Sequence, residues 1–153
     1  MTIEEQLGLA ERIARQRHVG QTDKGGHPYI GHPQRVAALV STPLERTVAW
    51  LHDTVEDTGY TEDMMRSDGF DEQVIETVML LTHRPHEPYT DYIRRLADNP
   101  VARRVKLADL TDNMNIDRLP AGERDSEATR RRMSKYAKAK EYLLDHEPTG
   151  RER

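Results

Sequence analysis

The sequence predicts an all-α fold of about six to eight helices, and three observations carry that reading. Apolar residues recur at helical spacing in block after block. No window alternates apolar and polar residues as a half-buried strand would. Helix-start residues stand ahead of most blocks. At 153 residues the chain has the size of one domain. The expected domain is 1–146, with 147–153 as a frayed tail.

The elements follow in order. Residues 3–18 place Ile3, Leu7, Ala10, Ile13 and Ala14 on one face, with Thr2 as N-cap and Glu5 completing a capping box. Gly20 to Pro33 is a long loop rich in Gly and Pro, a kind of segment that tends to be functional. Pro33 suits the first turn of a second helix running to about Val40, with Val36, Leu39 and Val40 inward. Thr42-Pro43 opens a third, near 43–57, ended by Thr58-Gly59. A short helix near 61–66 follows. A helix opened by Asp71 then carries Val74, Ile75, Val78, Met79 and Leu81, and a short one covers 89–98. Asn99-Pro100 starts a helix to about Ile116 with Val101, Val105 and Ala108 inward. The last, roughly 126–145, offers Ala128, Met133, Tyr136, Ala137 and Leu144 as its buried side.

Composition narrows the function classes. Apolar residues are 35% and aromatic residues 5%, so the core must be mainly Leu, Val, Ile, Met and Ala. A net charge of -4 gives no general attraction to nucleic acid or to an anionic membrane. An anionic substrate would need a local basic cluster or a metal ion. With no cysteine there is no disulfide scaffold, Cys nucleophile or thiolate zinc site. The opening MTIEEQLGLAER has acids where a signal peptide needs basic residues and an apolar run. No apolar run reaches bilayer length. A cytoplasmic protein is expected, with its oligomeric state left open.

The chemistry concentrates in Leu51-His52-Asp53-Thr54-Val55-Glu56-Asp57. On a helix, His52 and Glu56 are four apart, as are Asp53 and Asp57. Three acids at a helix C-terminus oppose the macrodipole, and a cation bound nearby would reverse that penalty. Imidazole with carboxylate suits Zn, Mn or Fe. Adjacent His52 and Asp53 do not complete a site, so ligands must come from elsewhere. His32, in Tyr29-Ile30-Gly31-His32-Pro33, and Asp109, on a largely buried helix, are the candidates. Each taken singly has a bland alternative: His32 as a helix-entry histidine, Asp109 as an acid satisfied by backbone N–H groups. Their joint occurrence favours a site.

The order His, His-Asp, Asp in a helical chain resembles the HD superfamily of metal-dependent phosphohydrolases. Three segments resemble the hydrolase domain of RelA/SpoT enzymes and the stand-alone small alarmone hydrolases: His18-Val19-Gly20-Gln21 through Pro33, Leu51 through Thr58, and Val105 through Asp109 with Asn113-Met114. The resemblance implies an HD-domain bundle around one divalent cation, usually manganese, held by His32, His52, Asp53 and Asp109. It implies Glu56 and Asp57, acting as a unit, as the catalytic acids near the attacking water. It implies Lys24 and Asn113 as nucleotide contacts, and removal of the 3′-pyrophosphate of guanosine tetra- or pentaphosphate. No room remains for a synthetase domain, so a hydrolase alone is expected.

Several residues depart from the pattern. Asp23 stands where Arg is usual, Leu110 and Asp112 where Arg and His are usual, and Asn115-Ile116 where Arg-Thr is usual. The resemblance places several of these on the base and phosphate side of the pocket, so metal chemistry transfers better than guanine specificity. Arg84, His83 and His86 read as surface-loop residues. Arg103, Arg104 and Lys106 read as mostly a solvated face, and Arg130 to Arg132 as a balanced basic run rather than a nucleic-acid patch. Two other functions compete: an HD nucleotidase acting on another nucleotide, and a non-catalytic nucleotide-binding module.

Overall fold

A computed structural model describes residues 1–146; the tail expected at 147–153 lies outside the described residues. Within them the chain is helical throughout, with no β-strand and one isolated bridge between Thr22 and Pro28. The helices are α1 Ile3–Arg17, α2 Gly31–Ala38, α3 Pro43–Leu51, α4 Thr54–Thr58, α5 Glu62–Asp68, α6 Glu72–Leu80, α7 Tyr89–Ala97, α8 Pro100–Asn113 and α9 Glu127–Asp145. Two 3₁₀ turns, Ile116–Arg118 and Ala121–Glu123, link the last pair. No helix among the described residues is long and apolar enough to cross a membrane.

Local chemistry sets most of the starts. Thr2 and Glu5 form the expected capping box, and Thr42 with Glu45 forms a second at the head of α3. Asn99 caps α8 by accepting from the Ala102 N–H at 2.9 Å. Helix α3 is the hub. Thr47 through Leu51 are all buried, and α1, α2, α6 and α8 pack around it. A helix so enclosed must be apolar nearly all round. The remaining core comes from Ala10, Ala14, Val36, Val74, Val78, Leu96, Val105 and Leu110.

Four expectations need correction. The helix expected over 43–57 breaks at His52-Asp53 into α3 and α4. There the His52 ring bonds the Ala49 carbonyl at 2.6 Å and the Thr54 hydroxyl bonds that of Leu51 at 2.7 Å, so side chains compete for the carbonyls that would continue the helix. Leu39 is 54% exposed, not inward. In α9, Ala128, Ala137 and Leu144 face solvent, and the buried positions are Thr129, Ala139 and Leu143. The expected face was rotated because a stripe this sparse fixes its own phase poorly. Finally, of Arg103, Arg104 and Lys106 only Arg104 is exposed as expected, and all three are tied to other elements. Arg103 bonds the Leu143 carbonyl near the end of α9, Arg104 pairs with buried Glu45, and Lys106 turns inward.

Polar staples hold the periphery. Gln6, fully buried on α1, exchanges two hydrogen bonds with Asp71 at the start of α6. Arg95 grips Glu87 with two bonds of 2.9 Å and also donates to the Leu80 and Thr82 carbonyls, closing the 81–88 loop. The Arg95 hydrogen bonds hold the Glu87 carboxyl down at about 2 against an unfolded value of 4.5. Its stabilisation is therefore present above about 4.5 and lost as pH falls toward about 2. Arg95→Ala is expected to lower the thermal midpoint at pH 7, with the gap from wild type narrowing across that window. A gap independent of pH would show that the pair contributes no charge-linked stability.

Candidate metal centre and nucleotide cavity

Three helical segments aim side chains at one point. His32 lies in the first turn of α2, His52 and Asp53 occupy the break between α3 and α4, and Asp109 projects from α8. One ligand atom from each of the four lies within 4.8 Å of the others, a grouping able to hold a divalent cation. His32 Nε2 is 2.8 Å from Asp109 Oδ1 and 3.5 Å from Asp53 Oδ2. His52 Nε2 is 3.1 Å from Asp53 Oδ2 and 3.3 Å from Asp109 Oδ1. His32, His52 and Asp109 are buried. Two imidazoles and two carboxylates in so small a space suit a borderline-to-hard cation, since no thiolate is present. The residues therefore fit the ion that the sequence implies.

The helix break matters here. Donation from the His52 ring to the Ala49 carbonyl leaves Nε2 turned toward the cluster. A continuous helix would have needed that carbonyl for itself.

Charge and hydrogen bonding tie the four side chains together. Burial works against every charged form, yet His32 is lifted to about 9 by its hydrogen bonds to Asp109 and Asp112. His52 is likewise raised by Asp53, despite burial. Asp109 is held well below the usual carboxylate range, against the pull of burial, foremost by Lys106 and then by the two histidines. Lys106 Nζ lies 2.7 Å from Asp109 Oδ2 and over the Tyr92 ring. It neutralises the outer oxygen of Asp109 and leaves Oδ1 facing the histidines.

Glu56 and Asp57 stand one turn beyond, outside the four-residue cluster. Glu56 Oε1 accepts from the His83 backbone N–H at 2.6 Å, so the 81–88 loop holds this carboxylate in place. His83 is thus more than the surface-loop residue expected. Burial, then Asp53 and Glu56, pushes Asp57 up to about 6. Burial also raises Glu56.

A cavity of about 260 Å³ adjoins the cluster. Its lining includes Lys24, Asn113, Arg118, Arg132 and Tyr136. Tyr29 and Asn113 connect cavity to cluster: the Tyr29 hydroxyl donates to Asp53 Oδ2 at 2.5 Å, and the Asn113 amide to Asp109 Oδ1 at 3.2 Å. Lys24 and Asn113 thus line the same cavity. The Lys24 loop is pinned by close packing. A Cβ on Gly25 would lie 2.1 Å from the Arg118 carbonyl oxygen, so only glycine permits the approach. Asp23 also lines this cavity, but its Oδ1 accepts from the Gly25 and His27 N–H groups at 2.9 Å, making it a turn-forming residue.

Two departures are placed differently from expectation. Leu110 is fully buried in the core and is not part of the cavity lining. Asp112 is buried and bonds the His32 ring at 2.7 Å. Tyr29, Lys106 and Asp112 were missed as site residues. A signal for Asp112 existed in its spacing, one turn after Asp109 on the same face. Nothing local marked Lys106 as turned inward, because its shelter is the Tyr92 ring of another helix.

No family model matches the chain. A probable GTP pyrophosphokinase of Mycobacterium leprae is 33% identical over 140 residues, covering 81% of this chain and 18% of that protein. A guanosine-3′,5′-bis(diphosphate) 3′-pyrophosphohydrolase of Aquifex aeolicus is 33% identical over 122 residues, covering 72% of this chain and 17% of its own. The chain therefore spans under a fifth of these curated relatives. A solved structure, described as a metazoan ortholog of SpoT that hydrolyzes ppGpp and plays a role in starvation responses, superposes with a TM-score of 0.72 at 22% identity. It covers 94% of this chain and 88% of that one, which establishes the shared fold. Over most of its length the chain is thus similar to one segment of the RelA/SpoT-type enzymes, and it shares the fold of the SpoT ortholog.

Proposed function

We propose that this chain is a cytoplasmic, manganese-dependent pyrophosphohydrolase that removes the 3′-diphosphate of guanosine tetra- or pentaphosphate. The observation that carries the reading is the convergence of His32, His52, Asp53 and Asp109 within 4.8 Å beside a cavity bearing Lys24 and Asn113. The names of the relatives supply the substrate class.

His32, His52, Asp53 and Asp109 hold the ion in this reading. When bound, a divalent cation supplies positive charge against phosphoryl oxygens and acidifies water. Glu56 and Asp57 take the proton of the attacking water as a pair. A carboxyl near 6 is ionised at neutral pH yet basic enough to accept that proton. The His83 N–H keeps Glu56 aimed. Water oxygen bonds to the inner phosphorus of the 3′-diphosphate, the bond from that phosphorus to the 3′ oxygen breaks, and the departing oxygen is protonated. Lys24 and Arg132 place positive charge along the cavity for the remaining phosphates.

Manganese-loaded protein incubated with guanosine tetraphosphate is expected to release pyrophosphate and guanosine diphosphate. Orthophosphate as the product would instead assign the nucleotidase function. Tight nucleotide binding by calorimetry with no product over long incubation would make the chain a binding module.

A further inference from the structure

We infer that Asp112 is the residue that positions His32 for the cation, through a carboxylate–imidazole pair that this chain has at a position where its resemblance leads one to expect histidine. The inference rests on the cluster of His32, His52, Asp53 and Asp109 being the cation site.

The geometry is specific. His32 uses both ring nitrogens: Nε2 faces Asp109 Oδ1 at 2.8 Å, and Nδ1 faces Asp112 Oδ2 at 2.7 Å. An Nδ1–H donated to Asp112 leaves the Nε2 lone pair directed at the cluster, fixes the ring rotation and raises its basicity as a ligand. Asp112 is itself held. Arg35 Nε donates to its Oδ1 at 2.8 Å, and the Arg118 guanidinium reaches Oδ2 at 3.2 Å and the Asp112 carbonyl at 2.9 Å. With both arginines engaged the carboxylate has little freedom to rotate away.

The same two helices supply both pairs. His32 and Arg35 are one turn apart on α2, and Asp109 and Asp112 are one turn apart on α8. The docking of α2 on α8 thus sets ligand and orienting group together. Gly31 contributes by lacking a side chain. A Cβ there would come within 2.8 Å of Arg35 Nη1, so its absence lets the guanidinium fold back along α2. Asp112 is 6% exposed. It serves the histidine from behind rather than facing a nucleotide.

The test compares wild type with Asp112→Ala, Asp112→Asn and Arg35→Gln, titrated calorimetrically with Mn²⁺ alone and with Zn²⁺ alone. Asp112→Ala is expected to weaken cation affinity by about 10–100-fold with the stoichiometry unchanged. Asp112→Asn should fall between wild type and Asp112→Ala, because an amide oxygen accepts the same proton more weakly. Arg35→Gln alters a partly exposed side chain and should show a smaller loss with the fold intact. In the zinc-loaded wild type, nitrogen-resolved NMR should report His32 protonated at Nδ1 and ligating through Nε2, with the Nδ1 proton exchanging faster in Asp112→Ala. Wild-type protein that binds no cation overturns the cluster reading. Folded Asp112→Ala that binds as tightly as a wild type that does bind overturns the positioning role alone. A lowered melting temperature with affinity and the Nδ1 signal unchanged would also overturn it, assigning Asp112 to structure only.

Discussion

His52→Ala is expected to eliminate pyrophosphate release and cation retention together. His52 is buried, and its Nε2 lies within 3.3 Å of carboxylate oxygens from both Asp53 and Asp109. Removing it deletes a ligand outright, so the loss should exceed the about 10–100-fold typical of residues that only orient a ligand. It also leaves Asp53 without its main compensating charge, since His52 is the foremost group opposing the effect of burial there. Deleting one partner of a buried pair costs about 3–5 kcal/mol, so cation-free His52→Ala should melt well below cation-free wild type. His52→Asn separates the two effects. It keeps hydrogen-bonding atoms and much of the volume but no positive charge, so it should recover part of the stability without recovering turnover. The assay is kcat/KM for guanosine tetraphosphate with bound manganese counted on the same sample. Wild-type turnover in either variant would remove His52 from the site.

The second large effect lies in the core. Leu110 is fully buried on α8 between Asp109 and Asp112. Leu110→Ala removes apolar surface and leaves a cavity, at a cost of about 2–5 kcal/mol. Urea denaturation should show a lower midpoint at unchanged slope. Nucleotide preference among whatever protein remains folded should not change. A loss under about 1 kcal/mol with altered base selectivity would instead place residue 110 at the nucleotide cavity. The comparison matters because a departure from a family pattern carries a different meaning in a core than in a pocket.

The two departures in α8 show how much a pattern can convey. Leu110 and Asp112 both differ from what the resemblance leads one to expect, and both read in the sequence as a changed substrate surface. In the fold, one fills the core and the other bonds a histidine from behind. Asp23 has likewise become a turn residue. The wall of the cavity beside the cluster is built by residues from distant segments, Lys24, Arg118 and Arg132 among them, whose proximity is invisible along the chain.

Helix content, most helix starts and the ordered set His32, His52, Asp53, Asp109 were determined by the sequence itself. They depend on local periodicity, on capping side chains a few residues away, and on a short motif of high specificity. Tertiary structure alone decided the rest. It set the break that frees His52, the rotation of α9, the inward turn of Lys106 over Tyr92, and the Asp112–Arg35 brace behind His32. Each depends on which distant surface a side chain meets. Spacing can say which residues share a helix face, but the partner of that face is chosen only when the helices pack.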